Sequence, residues 1–405
     1  MLGVLLRVSL FELVPRATVG DIYHHVLLAS NLLQGHGYSH SPAPPYYPDL
    51  QRPPALPLVL AGALALSQLS AVPAPILMLV LQTALDLGTG LILYRRLRQL
   101  APQLALPALA LYLLSPYPAF FPSLALTECL AGFLLMATLD RALVLARAPT
   151  AGGAALLGSL AGLLILTRPA LLPVALLALL ASRRQLPLAL LTCALLLLPW
   201  TVRNATVPGG RPTPMLVSGM GITLWFGVTF DGGVHLTGRP PAGEAEFQRY
   251  LLQWRRGQDL PPEEVMAIDR QLSALAVQAI RSNPAAYLAH VVAQAGRLWW
   301  AADDGLVNYD AARVPPERLQ LLYVVSQTCQ RILVVLAAGG LLVGGRRLWP
   351  LWLLLAVVSL PYCLIHVEAR YLLALEPVLA GLAAAFLWWL KETLTRARTR
   401  NQSAR

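Results

Sequence analysis

The chain has 405 residues, 57% of them hydrophobic and 13% charged, with a formal net charge of +11. That balance excludes an ordinary soluble domain and makes the chain a multi-span integral membrane protein. Nor does the basic excess read as a nucleic-acid surface, because it sits in short clusters between apolar runs, such as "RRLRQ" at 95–99 and "SRRQ" at 182–185, as cytoplasmic loops do.

The opening "MLGVLLRVSLFELVP" carries Arg7 and Glu12 and is shorter than the roughly 20 residues of a comfortable span. It lacks a small-x-small cleavage site, so a cleaved signal peptide is not expected. Two readings stay open: a tilted, protein-buried first helix, or a natural start upstream of this one.

Asp21 follows at once in "TVGDIYHHVLLASNLL". From Ile22 the apolar positions Ile22, Val26, Ala29 and Leu33 recur at helical spacing, which predicts an amphipathic helix with Asp21 at its N-cap. His24 and His25 are adjacent and point to different faces, so they make a poor metal pair.

Apolar runs near 2–15, 54–70, 74–94, 104–121, 126–146, 152–182, 186–200, 322–344, 348–365 and 371–390 are the helix candidates. Counting 54–70 as a span would put "RRLRQ" on the same side as Asp21, against the positive-inside rule, so it is expected to lie at the interface. The run at 152–182 is broken by Arg168 and Pro169, and two short spans turning at Arg168 avoid a charge at mid-membrane. About ten spans result, in a single domain over 1–405. All short basic clusters and both termini then fall on the cytoplasmic side.

The outer side receives a first loop over 16–73 and a long loop over 201–321. Within the latter, the stretch from "PPEEV" to "GRLWW" predicts two helices broken at Pro284, and Trp299 and Trp300 suit an interfacial anchor. Cys129, Cys193, Cys329 and Cys363 lie in or beside apolar runs without ligand spacing and read as packing residues.

Asp21, Arg52, Glu128, Arg168, Arg203, Glu368 and Arg370 all border apolar runs near the outer face. Each alone is a snorkelling charge or a helix-end residue, but positive-inside bias should deplete arginine there, and four remain. Clustered arginines grip phosphate, and a carboxylate beside them takes a proton from a hydroxyl. No P-loop, G-x-S-x-G or H-E-x-x-H motif is present.

The segments "GDIYHHVLLASNLLQGHGYS", "YYPDLQRPPALPLVLAG", "LTECLAGFLL", "LAGLLILTRPALL", "LPWTVRN" and "HVEARYLLALEPVLAG" occur in the order seen in GT-C membrane glycosyltransferases. The chain resembles their family-39 group, which includes protein mannosyltransferases and lipid A aminoarabinose transferases. The resemblance implies an all-α polytopic GT-C bundle with its active site on the non-cytoplasmic face; the topology then gives the plasma (inner) membrane of a bacterium as the expected location, or the endoplasmic reticulum if the source is eukaryotic. It implies a hexosyl or pentosyl transferase moving sugar from a polyprenyl-phosphate carrier to a lipid, glycan or protein hydroxyl, with inversion. Asp21 falls on the catalytic acidic position and Glu128 on the second one. Arg52, Arg168, Arg203, Glu368, Arg370 and Tyr371 are the expected substrate and lipid-phosphate contacts, with Asp49 in reserve as the base. No cofactor is firmly implied; a divalent metal fits the chemistry without support from the residues. Family mannosyltransferases pair Asp with Glu in the first loop, whereas Asp21 precedes Ile22, which argues against protein O-mannosylation. The rival from another class is a transporter or flippase of a lipid-linked or anionic solute, for which no duplicated halves are visible.

Overall fold

The structure, a computed structural model, describes residues 1–13, 20–207, 216–229, 242–256, 260–300 and 315–403. Seventeen helices account for nearly all the regular structure among them, and no strand occurs in the described residues. In the first third they are α1 (Leu2–Leu13), α2 (Gly20–Leu33), α3 (Ala55–Ser70), α4 (Ala74–Leu100), α5 (Pro102–Leu114) and α6 (Pro116–Ala119). Next come α7 (Glu128–Arg147), α8 (Ala151–Thr167), α9 (Leu172–Leu179), α10 (Leu186–Thr206), α11 (Met220–Thr229) and α12 (Glu244–Arg256). The remainder are α13 (Pro262–Ser282), α14 (Pro284–Trp300), α15 (Pro316–Gly344), α16 (Trp349–Ile365) and α17 (Glu376–Ser403).

Five helical stretches are long and apolar enough to cross a membrane, or six if α5 and the segment after it, bent by 56° at Ser115, act as one. Two of the five hold a reversal rather than one rod: Arg183 (φ 46°, ψ −109°) divides α9 from α10, and Gly345 (φ 54°) divides α15 from α16. Arg168 is extended (φ −143°, ψ 98°) and is followed by Pro169, which separates α8 from α9 where the sequence predicted a turn. The break before Pro284 likewise divides α13 from α14 as expected.

Small residues let the rods close up, as apolar packing in lipid requires. A Cβ on Gly158 of α8 would stand 2.1 Å from the Ala189 carbonyl oxygen of α10, and one on Gly340 of α15 would stand 2.1 Å from that of Leu382 in α17. Those glycines set the approach of two helix pairs that wall the main core, built around Ala161, Leu164, Ile165, Leu375 and Ala383.

Charge separates the two ends of the bundle. At one end Arg96 Nε of α4 donates to Asp140 Oδ1 of α7 at 2.8 Å, and Arg141 Nε to the Gly153 carbonyl at 3.3 Å. Towards the other end stand Asp21, Arg52, Glu128, Arg168 and Arg370. α7 therefore runs from the second group to the first, with Glu128 in its first turn and Arg147 in its last, each complementing the helix dipole.

Three expectations are corrected. Asp21 is not an N-cap, since α2 starts at Gly20 and Asp21 lies inside its first turn. α2 is not simply amphipathic: it buries His24, His25, Leu28 and Asn31 as well as Ile22 and Ala29, while Leu33 is exposed. The following loop folds over it, with Asn31 Nδ2 donating to the Ser39 and Ser41 carbonyls at 2.8 Å each. α1 is not enclosed by protein either. Only Gly3, Arg7 and Leu10, one stripe at helical spacing, are buried, while Leu2, Leu5 and Val8 stay exposed. What holds α1 is Arg7, whose Nε donates to Asp86 of α4 at 2.6 Å and whose Nη1 donates to the Leu113 carbonyl at 2.9 Å. Asp86, inside the run at 74–94, also accepts from the Tyr112 hydroxyl.

The interfacial expectation for 54–70 falls on α3, a 16-residue helix packed on α2 and α4 with Leu58, Leu66 and Leu69 exposed. Its length of about 24 Å is short for a hydrocarbon core of about 30 Å. At the end of α14, Trp300 is exposed, with the Arg331 guanidinium 5.5 Å from its ring centre.

Candidate active site

The start of α2, the loop before α3, the segment before α7, the α8–α9 turn, the start of α11, Tyr250 of α12, Tyr362 of α16 and the segment between α16 and α17 supply one cleft of about 320 Å³. Asp21, Arg52, Arg168, Arg370 and Tyr371 line it, with His25, Gln51 and Tyr250 among their neighbours.

Arg370 is the hub. Its Nη2 donates to Asp21 Oδ2 at 2.7 Å, its Nε donates to Glu368, and Glu128 Oε1 lies 3.8 Å from that Nε. Arg168 pairs with the same Glu128 oxygen through Nη2 at 2.6 Å and donates through Nε to Thr127 Oγ1 at 2.9 Å. Thr127 thus serves the arginine rather than capping α7. The Tyr371 ring lies under both guanidiniums, 4.8 Å from that of Arg168 and 5.8 Å from that of Arg370, and stacks on Tyr362 at 4.6 Å. Planar, charge-dense guanidiniums over an aromatic floor keep their fork geometry while staying available to an oxyanion.

Asp21 is the carboxylate of the group that lines the cleft, its side chain 37% exposed, against 28% for Glu368 and 2% for Glu128. Arg52 Nη2 stands 3.7 Å from its other oxygen. Burial pushes the Asp21 carboxyl up, but Arg370, Arg52 and His25 outweigh it and hold the group well below the usual carboxylate range. For Glu368, burial is again outweighed, first by Arg370, and the group settles near a pKa of about 2. His25 is pulled down to about 4, by burial and by Arg52 and Arg370 against the opposing pull of Asp21.

The other expected residues take different places. Asp49 is fully buried: its Oδ1 accepts from the Gln51 and Arg52 backbone N–H groups at 2.7 and 2.8 Å, and its Oδ2 meets His40 Nδ1 at 2.6 Å and Arg52 Nη1 at 3.2 Å. It folds the loop and aims Arg52. Arg203 does not line the cleft. It donates to the Asp49 and Tyr38 carbonyls and to Asn204 Oδ1, with its guanidinium 4.9 Å from the Trp200 ring centre and 5.3 Å from that of Tyr38. Glu128 and Glu368 stand behind the wall as partners of its arginines.

Tyr250 comes from α12 and donates to Gln51 Oε1 at 3.0 Å, while Ser218 N donates to the Leu50 carbonyl at 2.7 Å. These contacts dock the long loop onto the first one, and nothing local in the sequence announces them. In the sequence His25 was considered only with His24, as a poor metal pair, and was not placed in the cleft. Among the described residues no group of three His, Cys, Asp or Glu side chains converges as a metal site would. On the other side of α2, Phe11, Ile22, Leu64 and Met78 border an apolar cavity of about 370 Å³.

No protein-family model matches the chain, and no curated protein sequence matches it. Among solved structures it is similar to ArnT from Cupriavidus metallidurans, in the apo state and bound to undecaprenyl phosphate. Both alignments have 16% identity and a TM-score of 0.39, covering 95% of this chain and 76% and 77% of the other.

Proposed function

We propose that the protein is a membrane glycosyltransferase of the GT-C family-39 type, moving a sugar from a polyprenyl-phosphate carrier to an acceptor hydroxyl with inversion. The observation that carries this reading is the convergence of Arg52, Arg168 and Arg370 on a single cleft whose lining carboxylate is Asp21. Three fixed guanidiniums suit a phosphate that gains charge as it leaves. The apolar cavity beside α2 suits a lipid chain. The basic clusters at the opposite end of the bundle, read with the positive-inside rule, support a cleft on the non-cytoplasmic face and both termini in the cytoplasm.

In this mechanism the donor phosphate binds Arg168, Arg370 and Arg52, drawing the last two away from Asp21 and restoring its basicity. Asp21 accepts the acceptor's proton while the hydroxyl oxygen bonds to the anomeric carbon, opposite the breaking bond to phosphate. Glu128 holds Arg168 and Arg370 in place for the phosphate.

The test compares envelope glycolipids and glycans by mass spectrometry in native cells with no copy, the wild-type copy or Asp21→Asn at matched membrane levels. A sugar present with wild type and reduced about 10²–10⁴-fold with Asn is expected for loss of a general base. No glycan difference between wild type and no copy overturns the transferase and favours the transporter.

A further inference from the structure

One group in the cleft has no part in that scheme. His25 stands one turn after Asp21 on α2 and lines the same cleft. It is almost fully buried, and its Nδ1 has no hydrogen-bond partner among the described residues. Residues i and i+4 share a helix face, and a helical side chain leans back toward the N-terminus, so the imidazole lies over the turn that carries Asp21.

We propose that His25 is the residue that empties Asp21 of its proton during each transfer, and so a positioning and proton-holding partner of the base. This rests on the polyprenyl-phosphate reading above. The acceptor O–H bond breaks and its electron pair forms the new bond to the anomeric carbon; the bond from that carbon to the phosphate oxygen breaks, and its pair stays with the phosphate. The proton passes from the Asp21 carboxylate to the imidazole, giving an imidazolium. The lipid phosphate has then gained one negative charge and His25 one positive charge, so the cleft stays balanced.

The surroundings give the step its direction. The charged groups facing His25 are Asp21 on its own helix, Arg52 and Asp49 from the following loop, and Arg370 from the segment before α17. Burial, with Arg52 and Arg370 adding to it, holds the imidazole neutral, its pKa near 4. A phosphate monoester on those arginines cancels the charge that repels a proton, so His25 gains proton affinity just as the leaving group forms. When the lipid phosphate departs, the arginines drive the proton off again and the neutral imidazole returns. Once the phosphate has left, Arg370 and Arg52 pair with Asp21 again and keep it a carboxylate.

The experiment uses the full chain in lipid nanodiscs and undecaprenyl phosphate as the probe. Calorimetry at pH 7 in two buffers of different ionisation enthalpy reads protons taken up on binding. At that pH the free monoester, with its second pKa near 6, is mostly dianionic, so uptake reports the protein. Wild type is expected to take up a fraction of a proton that His25→Gln does not, and its affinity to rise toward acid relative to His25→Gln. Binding by both proteins with the same proton uptake overturns the proposal. Should His25→Gln fail to fold, wild type alone decides it, since binding without uptake is equally fatal. No binding by folded wild type overturns the polyprenyl-phosphate reading itself, a different outcome.

Discussion

Asp21 and Arg370 stand 349 positions apart in the chain and are joined by a 2.7 Å charge-assisted hydrogen bond at the cleft wall. The same guanidinium also holds Glu368 and faces Glu128. Only a planar fork serves several acids at once; an ammonium is a single point of charge. Arg370→Lys therefore keeps the charge and loses the geometry. The folded variant should lose about 2 kcal/mol of lipid-phosphate binding, roughly 30-fold in affinity. Titration with undecaprenyl phosphate checks this, and unchanged affinity would remove Arg370 from the phosphate site.

Glu128 is nearly inaccessible and sits between two arginines. Glu128→Gln leaves the Arg168 and Arg370 guanidiniums with one charge partner fewer in a dry wall. Breaking a buried pair on one side costs about 3–5 kcal/mol, so thermal unfolding should shift down by several degrees even before any product assay. A variant with wild-type stability would show that water reaches the pair.

Arg203 and Asp49 organise the first loop rather than touch ligand. Arg203→Ala should destabilise the fold by about 1–3 kcal/mol through the carbonyls it leaves unpaired. In membranes where it folds, it should bind undecaprenyl phosphate within about twofold of wild type, a few tenths of a kcal/mol. A loss as large as that of Arg370→Lys would instead return Arg203 to the cleft.

These roles explain how far the sequence could be read. Asp21, Arg52, Arg168 and Arg370 were legible because each breaks a rule: a charge beside an apolar run, or an arginine on the side that should lack it. Arg203 and Asp49 break the same rule and yet face the scaffold, because the direction of a side chain depends on the loop fold, here set by the two backbone hydrogen bonds to Asp49. The breaks at Arg168 and Pro284 followed from punctuation by charge and proline, whereas α11, α12 and the bend at Ser115 did not. The α1 contact did not, because pairing Arg7 with Asp86 needs α1 set against α4, which no local pattern encodes.

Two buried histidines make stability fall with acid. Burial, with Arg52 next, pulls His24 down to about 2, and burial with Arg52 and Arg370 pulls His25 down to about 4. Both folded values lie below the unfolded value of about 6.5, so the stabilising contribution is complete above pH 6.5 and is lost as pH falls toward the folded values. At pH 5 the cost is about 2 kcal/mol per histidine. Thermal melts between pH 7.5 and 5 should show the decline, and His24→Phe should halve it where it folds. The same pH dependence in wild type and in folded His24→Phe would mean that His24 is not held neutral.

Arg7 and Asp86 test whether a buried ion pair that does not line the cleft stabilises the bundle or only specifies it. Arg7 is fully buried on α1 and meets Asp86 of α4, which also accepts from Tyr112. Asp86→Leu alone strands the guanidinium and Arg7→Met alone strands the carboxylate, each costing about 3–5 kcal/mol. The double variant removes both charges, and buried pairs replaced by apolar residues of similar size come out neutral or more stable. Detergent melts of the four proteins should therefore show two large losses that disappear together in the double variant. If the double variant is as unstable as the singles, the pair contributes net stability, and α1 depends on the charges themselves rather than on packing through Gly3 and Leu10.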